Sequence, residues 1–241
     1  MHGRGPVSDL ATAFRDALDL LLSLDPELAA IVALSLQVSL GAVAVAALVG
    51  MPLGAVVAVG RFPGRMAVVV LMNALMGLPP VVVGLVVYLL LSRAGPLGAF
   101  GLLYTPTAMV IAQAVLVTPI IAALTRQTVE DLWGEYEEQL RVLGVSRLEM
   151  VATLLWDARP SLLTGLLAGF GRAVAEVGAV IIVGGNINHV TRVMTTTIAL
   201  ETSKGNLSLA LGLGIILVAI TVTVSALVMA MRGREGRAVH G

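Results

Sequence analysis

Long runs without a charged residue dominate the chain. Leu28–Gly60, Met66–Ser92, Ala94–Thr125 and Gly205–Met231 contain no Asp, Glu, Lys or Arg. Each is longer than the ~20 residues that an apolar helix needs to cross a bilayer. A fifth run, Pro160–Gly184, carries two charges, Arg172 and Glu176. In lipid every backbone polar group needs an internal partner, and a helix supplies one within the segment. The pattern therefore predicts an all-α integral membrane protein with about five transmembrane helices. The first is either one long tilted helix or a helix with an interfacial turn around Pro52.

Three regions follow from this pattern: an N-terminal amphipathic segment over 1–26, a membrane domain over 27–231 and a short basic tail over 232–241. In the first, Leu10, Phe14, Ala17, Leu18, Leu21 and Leu22 recur at helical spacing, with Arg15, Asp16 and Asp19 opposite. Such a helix lies in the membrane interface or packs on the bundle. Asp25-Pro26-Glu27 reads as an N-cap, a first-turn proline and a first-turn acid, so a new helix starts there. Gly60–Arg65 is a tight turn. Pro79-Pro80 breaks the second span near its middle, and Pro119 kinks the third. Ser92–Thr105, rich in Gly and Pro, is a loop. Gly50 and Gly54, and Gly165 and Gly169, are four apart, which allows close helix approach and reads as ordinary packing within one chain.

Composition agrees. Hydrophobic residues make up 58% of the chain and charged residues 12%, and mean hydropathy is +0.97. That excludes a soluble domain. Zero net charge argues against nucleic-acid binding. Cysteine is absent, which excludes disulfides and thiolate metal sites. Residues 1–26 hold no convincing secretory signal, so the N-terminus is expected to be retained. Lys and Arg set the orientation. With the polar stretch of about 130–159 inside, nine arginines lie inside and five Lys or Arg outside. The N-terminus is then outside and the C-terminus inside.

Three places carry candidate chemistry. The first is the polar stretch. Glu138 is followed six residues later by Gly144. A short helix over Glu138–Arg147, turned near Gly144, is expected, with a second from Ser146, which has capping-box spacing to Glu149. The stretch is either a docking element or a solvated loop. The second is Arg172 and Glu176, at i and i+4, which can neutralise each other. They form a structural ion pair or a charged element of a path, because ionisable groups inside spans are costly. The third runs from Gly184-Gly185-Asn186 to Thr191-Arg192 and Thr195-Thr196-Thr197. Its backbone N–H groups, hydroxyls and guanidinium suit an oxyanion, unless it is a plain loop. Gly169-Phe170-Gly171 is no nucleotide fingerprint, because no third glycine follows and no strand precedes it.

Glu138, Gly144, Val145-Ser146 and Pro160 fall where the loop of ABC-importer permeases carries Glu, Gly, Ala-Ser and a helix-opening proline. Gln139-Leu140 and Trp156-Asp157 depart from the usual Ala-Ala and Leu-Pro. The run from Gly171 to Asn206, with Arg172, Glu176, Gly178, Gly185 and Asn186, resembles the permeases of sulfate, molybdate and tungstate importers, most closely the tungstate branch. The resemblance implies a type I permease with a cytoplasmic coupling helix, in a prokaryotic cell membrane. It implies two permease copies, two ATP-binding subunits that hold ATP and Mg, and an extracytoplasmic oxyanion-binding protein. This chain would then hold no cofactor and no metal and do no chemistry of its own. The ATPase contact falls on Glu138, Arg141, Gly144 and Ser146. The gate or path falls on Arg172, Glu176, Gly178, Gly184, Gly185, Asn186, Thr191, Arg192, Thr195 and Thr196. The alternative is a stand-alone secondary anion transporter using Arg172 and Glu176. An intramembrane enzyme finds no support, because His2, His189 and His240 lie outside the spans.

Overall fold

The computed structural model describes residues 25–238. The amphipathic helix expected around Leu10–Leu22 lies outside the described residues. Nine α-helices are found among those described: α1 (Pro26–Val59), α2 (Arg65–Met76), α3 (Pro80–Leu91), α4 (Pro106–Val142), α5 (Arg147–Asp157), α6 (Arg159–Val174), α7 (Gly178–Gly184), α8 (Met194–Lys204) and α9 (Leu207–Ala238). Three of them, α1, α4 and α9, are long and apolar enough to cross a membrane. The bent pairs α2–α3 and α6–α7 bring the number to five if each is one span.

Helix α1 starts where the local sequence says it should. The Asp25 carboxylate accepts from the Glu27 N–H at 2.7 Å, and Pro26 opens the first turn. The helix then runs unbroken through Pro52 for 34 residues, so no interfacial turn forms there. The second span breaks at Pro79-Pro80, as expected, and the break is sharper than a kink: two helices of 12 residues are bent by 100°. A residue before proline is driven out of the helical region, so the tandem Pro79-Pro80 ends one helix before Leu78. It starts the next with Pro80 in the first turn, where its missing N–H costs nothing.

Helix α4 begins at Pro106, so Ser92–Thr105 is the loop expected, with one turn of 3-10 helix at Gly98–Phe100. It corrects one expectation, because it continues for 37 residues to Val142. Glu138 and Arg141 therefore lie in its last two turns rather than in a separate short helix. Nothing between Thr125 and Val142 interrupts helix formation, and neither Pro119 nor Gly134 ends it. The fourth span also divides, with a 58° bend between α6 and α7. Helix α9 runs through most of the stretch assigned to the basic tail.

The core is built on α1 against α4. A Cβ added at Gly50 would lie 3.0 Å from the Thr118 carbonyl oxygen. One added at Gly54 would run into the Ala122 carbonyl and come within 2.9 Å of the Arg126 nitrogen. At Gly169 it would meet Val117 and Ile121. These glycines pack inside one chain, as expected. One apolar cluster joins α3, α4 and α7 through Val83, Val87, Met109, Leu116, Val180 and Val183. Another joins α1, α4, α5 and α6 through Ala55, Val129, Leu154 and Leu162. Large apolar side chains point outward from α1, α2, α3 and α9, among them Leu48, Val70, Val86 and Val218, as a lipid-facing surface requires.

The α1–α4 contact generates a prediction. Gly54→Ala should destabilise the folded protein by about 1–3 kcal/mol, because the helices must separate. Gly41→Ala, whose Cβ would sit at an ordinary 3.5 Å from Val110, should be neutral. Unfolding in detergent distinguishes the two, and equal stability of both variants would refute the close-packing argument.

Candidate functional site

The polar end of α4 is built with two faces. Val129, Leu132, Trp133, Tyr136 and Leu140 pack against α1, α5 and α6. Glu135, Glu138 and Gln139 are exposed on the other side. Gly144 then turns the chain with φ +68°, in the left-handed region that a side chain enters only at a cost. Val142 and Leu143 stand out from this turn, 87% and 73% exposed. Ser146 starts α5 with a complete capping box. Its N–H and hydroxyl donate to the Glu149 carboxylate at 2.9 and 2.6 Å, and its oxygen accepts from the Glu149 N–H at 3.4 Å. The Ser146 hydroxyl, then its N–H, hold the Glu149 carboxyl below its ordinary range. At the other end of α5 the Arg159 guanidinium lies 4.5 Å over the ring of the exposed Trp156.

The break between α6 and α7 brings the second group of residues together. Helix α6 ends at Val174, so Glu176 sits in the break, and only 3% of its side chain is exposed. One carboxylate oxygen pairs with the Arg172 guanidinium. The other accepts from the Ala179 N–H at 3.0 Å, in the first turn of α7. The Thr195 hydroxyl donates to the Glu176 carbonyl at 2.8 Å. Gly178 leaves room for Val81, and Gly84 lets α3 approach to where a Cβ would be 2.7 Å from the Ala179 Cα.

The third group closes into a compact turn. Gly185, Asn186 and His189 all have positive φ, at 72°, 49° and 57°. The Thr191 hydroxyl donates to the Gly184 carbonyl at 2.5 Å and accepts from the Ile187 N–H at 2.9 Å. The Thr196 hydroxyl donates to the Asn186 side-chain oxygen at 2.8 Å. Thr191, Thr195 and Thr196 are buried, and in this conformation the hydroxyls of Thr191 and Thr196 hold the turn while that of Thr195 is engaged at the α6–α7 break. Arg192 is different, since its buried Nε has no partner. It lines two clefts, one with Asp25, Glu27, Glu201 and Asn206, the other with Asn188 and His189. Lys204, 2.9 Å away, chiefly holds the Glu201 carboxyl below its ordinary range, helped by Asn206 and by the charge of Arg192 and opposed by burial.

Sequence reasoning missed two polar groups. Gln113 is buried in α4 and donates to the Ala173 carbonyl at 3.1 Å, one of the last carbonyls of α6. Ser35 in α1 accepts from the Met194 N–H at 2.8 Å, at the start of α8. Each is a polar residue in a charge-free run, and that is the signal that could have singled it out.

The family model described as "binding-protein-dependent transport system inner membrane component" matches residues 50–238. The chain belongs to that family. As such it is a multi-pass inner membrane protein, a permease component of an importer. It is 43% identical over 197 residues to the tungstate uptake system permease protein TupB of Peptoclostridium acidaminophilum, covering 82% of this chain and 86% of that one. It is 40% identical over 185 residues to a probable anion ABC transporter permease protein of Haloferax volcanii, covering 75% and 80%. The sulfate transport system permease protein of Salmonella typhimurium is 34% identical over 145 residues, 57% and 52% of the two chains.

The capping box makes a pH prediction. The depressed Glu149 carboxyl contributes stability that is fully present above the ordinary value of 4.5 and is lost as pH falls through its lower folded value. Amide exchange at the start of α5, corrected for intrinsic rate, should stay slow down to about pH 4.5 and accelerate progressively below it, until the carboxyl is protonated in the folded state as well. Ser146→Ala should give fast exchange at neutral pH. Protection indifferent to both changes would remove the box from the stability of α5.

Proposed function

We propose that this chain is the membrane-spanning subunit of an ATP-driven oxyanion importer, with tungstate as the leading cargo, then molybdate, then sulfate. Family membership and the names of its relatives support the reading. The structural observation that carries it is the turn at Gly144 between α4 and α5, which presents exposed Val142 and Leu143. An apolar tip on an otherwise polar extension suits a groove on a soluble partner. That partner is the ATPase, which binds ATP and Mg and does the chemistry. Glu138, Arg141, Gly144 and Ser146 belong to this contact.

The remaining assembly follows the same reading: a second copy of this chain, two ATP-binding subunits and an extracytoplasmic oxyanion-binding protein. The N-terminus is outside, and the Gly144 turn and C-terminus are in the cytoplasm. Arg172, Glu176, Gly178, Gly184, Gly185, Asn186, Thr191, Arg192, Thr195 and Thr196 form the gate or path. Stripping a dianion of water inside a bilayer is prohibitive without partners. Arg192, with an unpartnered Nε, is the group best suited to meet one. Glu176 ties Arg172 to the α6–α7 break, so a change of bend there alters the charge along the path.

Reconstitution with the ATPase and the binding protein tests this. Tungstate should stimulate ATP hydrolysis and enter the vesicles. Glu138→Ala and Gly144→Leu should still insert in the membrane but lose ATPase association or import. Normal import by both would refute the docking role. The absence of cysteine also permits a clean topology map. Cysteines substituted for Gly64, Ser146 and Gly236 should react only from the cytoplasm, and those for Gly98 and Asn188 only from outside. Labelling of Ser146→Cys by an impermeant reagent in intact cells would reverse the orientation.

A further inference from the structure

Arg65, the first residue of α2, makes three contacts with two other helices. Its Nε donates to the Val57 carbonyl at 2.9 Å and its Nη2 to the Ala58 carbonyl at 3.3 Å, in the last turn of α1. Helix ends leave such carbonyls without intrahelical donors. The same Nη2 donates to the Glu130 carboxylate of α4 at 2.6 Å. The other Glu130 oxygen takes Arg126. Seven residues further along the same face of α4, Glu137 holds Arg61 at 2.7 Å. The end of α1, the turn over 60–64 and the start of α2 are thus fastened to the part of α4 that leads to Gly144. From there α2 runs through its break into α3, and α3 abuts α7 at Gly84 and Ala179.

We propose that Arg65 and Glu130 are positioning residues that pass a displacement of the Gly144 turn to the broken pair α2–α3, and through it to α7 and the Arg172–Glu176 pair. The inference rests on the coupling role given to that turn above. Two properties single out this pair. Its side chains are 27% and 39% exposed and belong to none of the apolar clusters that hold the bundle, so its loss loosens the link while leaving those clusters in place. The planar guanidinium also reaches the α1 carbonyls and the α4 carboxylate together, a forked arrangement that a lysine ammonium does not reproduce.

The test uses the full complex with its ATPase and binding protein in vesicles, tungstate as the probe, and import and ATP hydrolysis measured in the same sample. Arg65→Gln and Glu130→Gln should assemble and hydrolyse ATP, while anion imported per ATP falls roughly two- to thirtyfold. Arg65→Lys should fall between these and wild type. Import and hydrolysis declining together at an unchanged ratio would make the network a static brace and overturn the proposal. The double variant Arg65→Cys with Glu130→Cys gives a second arm. Closing a bifunctional cross-link between the two should raise the ratio, and a ratio as low closed as open also overturns it. A wild-type complex that imports nothing under ATP removes the coupling reading and this inference with it. A coupled wild type beside unaltered variants removes this inference alone.

Discussion

At Gly50 and Gly54 the backbone of α1 lies directly against that of α4, and most of the bundle is arranged around this contact. A bilayer offers no hydrophobic drive for one apolar helix to prefer another over lipid. Association then depends on close backbone approach and the dispersion contacts it permits. Two long helices held this way give the shorter elements something to pack on. α5 and α6 close one end of the groove through Leu154, Ala158 and Leu162, and α3 and α7 close the other through Val83, Val180 and Val183. Helix α9 stands apart, with 6% of its most apolar window buried among the described residues.

Both bent pairs interrupt helices within apolar segments, where free backbone groups are expensive. Local side chains meet part of that cost. Glu176 serves the N–H of Ala179, Thr195 serves the carbonyl of Glu176, and Gln113 serves the carbonyl of Ala173. Ser35 does the same for the start of α8. Four buried polar residues of this membrane domain thus serve helix ends and breaks.

Features set by neighbours within a few residues were legible in the sequence. The charge-free runs located the spans, Asp25-Pro26-Glu27 started α1, and Ser146 with Glu149 started α5. The glycine pairs marked close packing. The severity of the bend at Pro79-Pro80 was not legible, because it depends on how α3 docks against α7. The reach of α4 was missed because hydropathy marks where lipid ends, not where a helix ends. Polar residues beyond Thr125 continue the same helix. The Arg172–Glu176 pair was legible, but the place of Glu176 in a break was not. Partners distant in sequence left no local trace: Arg65 with Glu130 is 65 residues apart, Gln113 with Ala173 is 60 and Ser35 with Met194 is 159. For the same reason, the threonines of the Gly184–Thr197 turn read as free hydroxyls when their oxygens were already engaged.

The unbroken course of α4 has a mechanical consequence. Ala122, pressed against Gly54, lies 20 residues from Val142 and 16 from Pro106. At 1.5 Å per residue these are lever arms of about 30 and 24 Å on either side of a fulcrum. A tilt of about 5° about that point would carry the Gly144 end through roughly 2.6 Å and the opposite end through roughly 2.1 Å the other way. A continuous helix that tilts as one body about an off-centre pivot converts a small push on one side of the membrane into a reversed displacement of similar size on the other, with no refolding between.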